Sequence, residues 1–162
     1  MWDMTDPDVT LRPMTRAEFD EWLPRQAAQY AELIEASGSM PAGAAREKAE
    51  RDTARYFGGG IDTPGQFVFR VLAGDAAVGS LWLGMPGPSG DPLMAWVYDI
   101  EIEAAFRGRG LGRAAMRLAE GEARARGMTS LGLNVHGPNT VARSLYESLG
   151  YEVMSLQMKK PV

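Results

Sequence analysis

Val97 to Tyr151 is the stretch that decides the fold. It reads V-Y-D-I-E-I-E-A-A-F-R-G-R-G-L-G (97–112), an Ala/Arg-rich run (113–126), and then L-G-L-N-V-H-G-P-N-T-V-A-R-S-L-Y-E-S-L-G-Y (131–151). A strand leads into a loop with glycine at every second position, Gly108, Gly110 and Gly112, and the loop opens directly into a helix. Without Cβ atoms such a turn lets backbone N–H groups approach an anion, and the helix N-terminus adds its partial positive charge. A phosphate-bearing ligand is the expected occupant. Taken alone, R-G-R-G-L-G also fits a purely structural turn. It departs from the dinucleotide fingerprint, which needs G-x-G-x-x-G after an early strand, and no G-K-[ST] follows as in a P-loop.

Outward from that stretch, period and punctuation predict the remaining elements. Towards the C-terminus, Leu111 to Arg126 is a helix stopped by Gly127, with Ala115, Leu118, Ala119 and Ala123 forming a face that can lie close to a sheet. Ser130 to Val135 is a strand. Asn139 caps a helix carrying Ala142, Leu145 and Leu149 on its apolar stripe, and Gly150 closes it. Tyr151 to Met158 reads as a last strand with Met154, Leu156 and Met158 on one face. Towards the N-terminus, Met94 to Glu103 is a long strand. Phe67 to Ala73 and Ala77 to Gly84 form a hairpin turning at Gly74-Asp75. Pro41 to Phe57 is a helix halted by Gly58-Gly59-Gly60. Thr15-Arg-Ala-Glu18 is a capping box opening another helix, which Pro24 is expected to kink or split; its buried face is Phe19, Trp22, Leu23, Tyr30, Leu33 and Ile34. Val9 to Pro13 is a short strand. The order is β-α-α-β-β-β-α-β-α-β: an α/β fold with a mixed sheet and helices on both faces, in one domain over residues 1–162.

Composition narrows the chemistry. With 162 residues the chain should bury roughly 70% of its unfolded surface. It has no cysteine, so disulfides, thiolate metal sites and a Cys nucleophile are excluded, and its one histidine, His136, rules out a multi-His metal site. His136 itself reads as a loop residue. No apolar run nears the roughly 20 residues of a membrane span, and the acidic N-terminus lacks a signal core, so a cytoplasmic location away from membranes is expected. A net charge of −4 argues against nucleic acid. The charge is unevenly spread: Arg107, Arg109, Arg113, Arg117, Arg124 and Arg126 face only Glu120 and Glu122 around the glycine loop, and the rest of the chain is acidic. A polyanion at the loop and a cation elsewhere fit that asymmetry.

The combination is more specific than its parts. Arg107-x-x-Gly110-x-Gly112 between strand and helix, followed by Asn139-x-x-Ala142-x-x-Leu145-Tyr146-Glu147-x-x-Gly150-Tyr151, resembles the GNAT superfamily of N-acetyltransferases. The element order from Val9 onward is similar to that family too. The resemblance implies a GNAT-like fold that binds acetyl-CoA as acyl donor between two splaying parallel strands, here 94–103 and 130–135, with no metal. It puts the pyrophosphate on the backbone of Arg107, Gly108, Arg109, Gly110, Leu111 and Gly112. It puts the pantetheine arm beside Ile100 to Ile102, with the Ile102 N–H polarising the thioester carbonyl. Asn139 is either a cofactor contact or simply a helix cap. Tyr146 stands near the sulfur as proton donor to the leaving thiolate, or packs as a half-buried aromatic.

The implied reaction is direct attack of a neutral amine within a ternary complex. Its general base departs from the family pattern. Some members carry a glutamate where this chain has Tyr98, and the protein N-terminal acetylases carry one where it has Asn134. Asp99, Glu101 and Glu103 alternate onto one strand face, so Asp99 or Glu101 acting through water is the expected base, unless that face is only a solvated one. The acceptor is an amine on a small molecule or a peptide, and Trp22 and Tyr30 are candidates for its pocket. Trp2, Trp22, Trp82 and Trp96 otherwise read as packing residues. A non-catalytic acyl-CoA-binding module of the same fold is the alternative, and a dinucleotide oxidoreductase a remote one. A homodimer through Tyr151 to Met158, as in many proteins of this kind, stays open.

Overall fold

The computed structural model describes residues 7–162, so Trp2 lies outside the described residues. Strand β1 (Val9–Pro13) is followed by helices α1 (Arg16–Ala36) and α2 (Ala42–Tyr56), strands β2 (Gln66–Ala73), β3 (Ala76–Gly84) and β4 (Met94–Ile102), helix α3 (Leu111–Ala125), strand β5 (Ser130–Leu133) and helix α4 (Thr140–Ser148). The sheet runs β1-β2-β3-β4-β5 in space; all neighbours are antiparallel except β4 and β5, which the α3 crossover makes parallel.

Local chemistry accounts for most boundaries. The Thr15 hydroxyl accepts from Glu18 N–H and the Glu18 carboxylate accepts from Thr15 N–H, which satisfies two donors at the start of α1 and is worth about 1 kcal/mol. Pro24 does not split α1, which stays helical from Arg16 to Ala36. Tertiary packing overrides the lost hydrogen bond: Phe19 and Trp22 just before the proline, and Ala31 and Ile34 beyond it, are all buried. Leu33, expected inside, is half exposed, whereas Gln26 is buried.

Two apolar clusters lie on opposite faces of the sheet. One packs Val71, Val78, Leu81, Leu83, Ala95 and Val97 beneath α3, which contributes Leu111, Ala115, Met116, Ala119 and Ala123. Helix α4 sits beside α3 on this face: Arg113 donates to Ser148 Oγ (2.6 Å), and Tyr146 and Leu149 pack against the same cluster. The other cluster joins Phe19, Trp22 and Phe57 to Val68 and Trp82, with Tyr56 and Tyr98 at its margin.

The expected last strand does not form. Residues 151–162 make no ladder, and Met154, Leu156 and Met158 are 86%, 73% and 89% exposed. Alternation defines a face, but a strand exists only where a neighbour accepts its hydrogen bonds. Here β5 is four residues long, and the chain turns at Gly150 (φ +92°) with Tyr151 N–H held by the Tyr146 carbonyl. Further on, Lys159 Nζ donates to the Gly38 carbonyl at the end of α1. Between this segment and β5 lies a groove of about 1840 Å³.

Candidate active site

The β4–β5 ladder is short. It begins at Met94↔Ser130 and ends at Val97↔Leu133, so the rest of β4 has no strand on that side. Glu103 N–H bonds the Val78 carbonyl on β3 (2.9 Å). Antiparallel alternation then turns the peptide groups of Ile102 and Ile100 away from β3, towards the open side. The Ile102 carbonyl is met there by Arg107 Nε at 2.8 Å. This contact ties the strand to the glycine loop, and residue spacing alone does not signal it.

The loop has the conformation its glycines allow. Gly108 and Gly110 adopt φ of +75° and +76°, a region costly for residues with a Cβ, and at both a Cβ would point into open space. Gly110 is the N-cap of α3 and no side chain caps that helix, which leaves the N–H groups of Leu111, Gly112 and Arg113 without intrahelical partners. Gly112 differs: a Cβ there would meet Leu145 Cδ2 (3.6 Å) and Ile102 Cγ1 (3.8 Å), ordinary contacts. Arg109 lies over the Phe106 ring (5.7 Å) and donates to the Ala105 carbonyl (3.3 Å). An anion at the α3 N-terminus would therefore meet a positive dipole, free N–H groups and basic side chains.

Asp99 lies beyond the last β4–β5 pair and on the face of Trp82, and Tyr146 packs on the α3 cluster, yet the Asp99 charge acts on the Tyr146 hydroxyl. Burial raises the Asp99 pKa to about 7, with the nearby charge of Glu101 adding to it, and Asp99 Oδ2 is buried without a hydrogen-bond partner. The Tyr146 hydroxyl is also pushed up, by burial first and the Asp99 charge second. Glu101 shares the Asp99 face but turns to α1, where Gln29 Nε2 donates to its Oε1 (3.2 Å). Glu103 follows β4 and is exposed.

A break in alternation sets this arrangement. Trp82 pairs with Asp99 but Leu83 with Val97, so Tyr98 is an extra residue in β4. Its ring stacks on Trp82 (4.6 Å), on the α1/α2 face that Asp99 also shares. Tyr98 is thus part of the aromatic wall, packed against Tyr56 and Trp82.

The other candidates separate. Asn139 Oδ1 caps α4 by accepting from Ala142 N–H (3.2 Å), which leaves its Nδ2 for a ligand. His136 and Asn134 are exposed in the loop after β5. Trp22 is 4% exposed and its Nε1 donates to Ser80 Oγ; it packs in the core and borders a small cavity beneath α1 rather than the groove along β5. Tyr30 donates to Asp52 (3.3 Å) and lines the groove along β5. That groove also reaches Asn139 and Tyr146, but none of Arg107 to Gly112 borders it. Among the described residues there is no cluster of three or more acidic or His side chains placed to hold a metal, and no helix long and apolar enough to cross a membrane.

The sequence profile of the Acetyltransferase (GNAT) family matches residues 18–151, a span that contains the open strand edge, the glycine loop and Tyr146. This chain belongs to the GNAT family. It is an acyltransferase by that membership, and its relatives are named as N-acetyltransferases. YdgE of Bacillus subtilis (strain 168), an uncharacterized N-acetyltransferase, is 29% identical over 156 residues, covering 93% of this chain and 96% of YdgE. The crystal structure of YycN from Bacillus subtilis superposes with a TM-score of 0.87 at 26% identity, covering 95% of this chain and 98% of that one. A mycothiol acetyltransferase of Rhodococcus erythropolis is 35% identical over 102 residues, 62% of this chain but only 34% of that protein. The mixed five-stranded sheet with helices on both faces is the GNAT fold. Membership implies an amine-bearing acceptor.

Proposed function

We propose that this acetyltransferase moves an acetyl group from acetyl-CoA to a primary amine, of a small molecule or a peptide, by direct attack in a ternary complex. One observation carries the reading: the strand edge at Ile100 and Ile102 is left open beside an uncapped, glycine-built helix N-terminus, with Asp99 beyond the last β4–β5 pair and its charge felt by the Tyr146 hydroxyl. The residues fit the donor. The loop from Arg107 to Gly112 suits a pyrophosphate, and the edge of β4 suits an extended, amide-bearing arm that pairs as a strand would.

Acetyl-CoA supplies the acetyl group as a thioester. Ile102 N–H points to the open side and suits the role of hydrogen-bond donor to a developing oxyanion, a kind of contact worth about 3 kcal/mol. Arg107, bonded to the carbonyl of the same residue, holds the next peptide group and so steadies the end of the strand. Asp99 serves as general base, directly or through water: a carboxyl with a pKa of about 7 is ionised for much of the time at neutral pH yet basic enough to take a proton from an ammonium. Glu101 acts on Asp99 through its charge rather than on the amine. Tyr146, kept protonated by its raised pKa, holds the proton that the departing thiolate requires. Holding both reactants in one site supplies much of the rate through effective molarity.

Thermal unfolding with and without saturating acetyl-CoA, with NAD as control, tests the donor. Ligand at about 100 times Kd adds roughly 2.7 kcal/mol, several degrees for a domain of this size. A shift with acetyl-CoA alone supports the reading and justifies an amine panel read by thiol release. Absence of a shift would remove acetyl-CoA as donor.

A further inference from the structure

A second cavity lies on the other face of the sheet, beneath α1. Its volume is about 240 Å³, and Gln26, Gln29, Arg70, Ser80, Glu101 and Glu103 contribute to its lining. The strand registers explain why it is polar. Arg12 pairs with Arg70, Arg70 with Ser80, and Ser80 with Glu101, which sets a row of polar side chains across four strands under the helix. An ordinary helix–sheet interface is apolar here, yet α1 turns Gln26 inward at 7% exposure.

The groups around this cavity are unequally satisfied. Arg12 is bidentate to Glu18, at 3.0 and 2.7 Å. Arg70, directly opposite, is left with only a longer ion pair to the same carboxylate, Nε to Oε1 at 3.7 Å. Its side chain is 15% exposed, and its Nε is buried without a hydrogen-bond acceptor. A largely buried guanidinium without a close carboxylate of its own is a good match for a carboxylate ligand. At the other end Glu101 and Glu103 present negative charge that repels a simple anion. Arg70 and Glu101 stand two strand spacings apart, roughly 10 Å between backbones, and both border the same cavity with Ser80 between them in the ladder.

We infer that this cavity binds a small zwitterion of the amino-acid class, its carboxylate on the Arg70 guanidinium and its ammonium between Glu101 and Glu103. Arg25 also borders the cavity, so Arg25 and Arg70 are set against Glu101 and Glu103, a balance that a lone anion or a lone cation matches at one end only; the volume excludes anything the size of a nucleotide. The cavity is distinct from the glycine loop, which belongs to the α3 face. Binding there needs neither acetyl-CoA nor turnover, so the inference stands or falls apart from the proposed reaction.

The test titrates glycine, L-alanine and β-alanine into the protein alone, with acetate and ethylamine as single-charge controls. The Arg70 Nε–H and the Gln26 and Gln29 side-chain amides are followed by NMR. Zwitterions are expected to shift these resonances saturably at millimolar concentration, and the controls to leave them in place. Arg70→Met should weaken binding by at least about tenfold. Glu103→Gln, at an exposed position safe for folding, should weaken zwitterion binding several-fold. Unmoved resonances with every amino acid, or acetate binding as tightly as glycine, overturns the inference. So does zwitterion binding that survives both substitutions.

Discussion

Tyr98 and Asp99 are consecutive in the chain yet occupy the same face of β4, because the strand carries one residue more than β3 at that point. Tyr98 stacks on Trp82, and Asp99 lies directly opposite Trp82 in the ladder. A strictly alternating strand would have sent one of them beneath α3. The extra residue puts the carboxyl where the strands have parted, in surroundings that bring its pKa to about 7.

If Asp99 is the base, kcat/KM rises as pH climbs through about 7 and levels off above it, since the carboxylate is the active form. Asp99→Asn should abolish that limb and leave only the ionisation of the acceptor amine. Glu101→Gln should move the limb to lower pH, because the like charge that helps hold the Asp99 pKa up is gone. Identical profiles in all three proteins would discard the assignment.

The same carboxyl affects stability with a definite sign. Its folded pKa lies above the unfolded value, so the folded state binds more protons between about pH 4 and 7, and stability falls as pH rises through that window. Asp99→Asn is expected to stabilise the protein at pH 8 by on the order of a few kcal/mol, seen as a higher Tm, with the difference closing near pH 4. Paired melting curves across that range measure it.

Tyr146→Phe removes a proton without opening a cavity. Turnover should fall about 100-fold while the acetyl-CoA-induced thermal shift stays as in the unsubstituted protein. A kcat left unchanged would return Tyr146 to the role of a packing residue beside Tyr151.

Gly110→Ala places a Cβ on a residue at φ +76°, which costs about 1 kcal/mol in the free protein, although nothing lies within 4 Å of it. The larger effect should be on the donor: a KM for acetyl-CoA raised tenfold or more, with the new methyl standing where a pyrophosphate would approach. Gly112→Ala, whose Cβ meets only ordinary contacts, should be milder on both counts.

Gly79→Ala acts from the neighbouring strand. A Cβ there would lie 2.0 Å from the Glu101 carbonyl, a backbone atom that moves only if β4 does. Stability should drop by roughly 1–3 kcal/mol, and activity should fall further because the Ile102 peptide shifts with the strand. Melting temperature and kcat on one preparation separate the two effects.

Much of this was legible in the chain and some was not, for physical reasons. The glycine loop, the Asn139 cap and the capping box at Thr15 are local, and each showed because backbone conformation or a cap requires those residues there. The Tyr98 bulge left no trace, since it depends on the length of β3 opposite. The Pro24 expectation failed because burial of Phe19, Trp22, Ala31 and Ile34 outweighs one lost hydrogen bond. The final strand failed because Met154, Leu156 and Met158 have the right alternation but no partner backbone. Gln26 and Arg70 carry no local signal of their own; the strand registers set Arg70 under α1, where it borders one cavity with Gln26.

The two apolar clusters share no residue, and the sheet divides them. The side that suits the donor rests on α3 and α4, and the side that α1 and α2 cover rests on its own aromatics. Substitutions in α1 and α2 can therefore accumulate without disturbing the packing beneath α3 and the glycine loop that opens it. The two halves of the molecule are free to change at different rates.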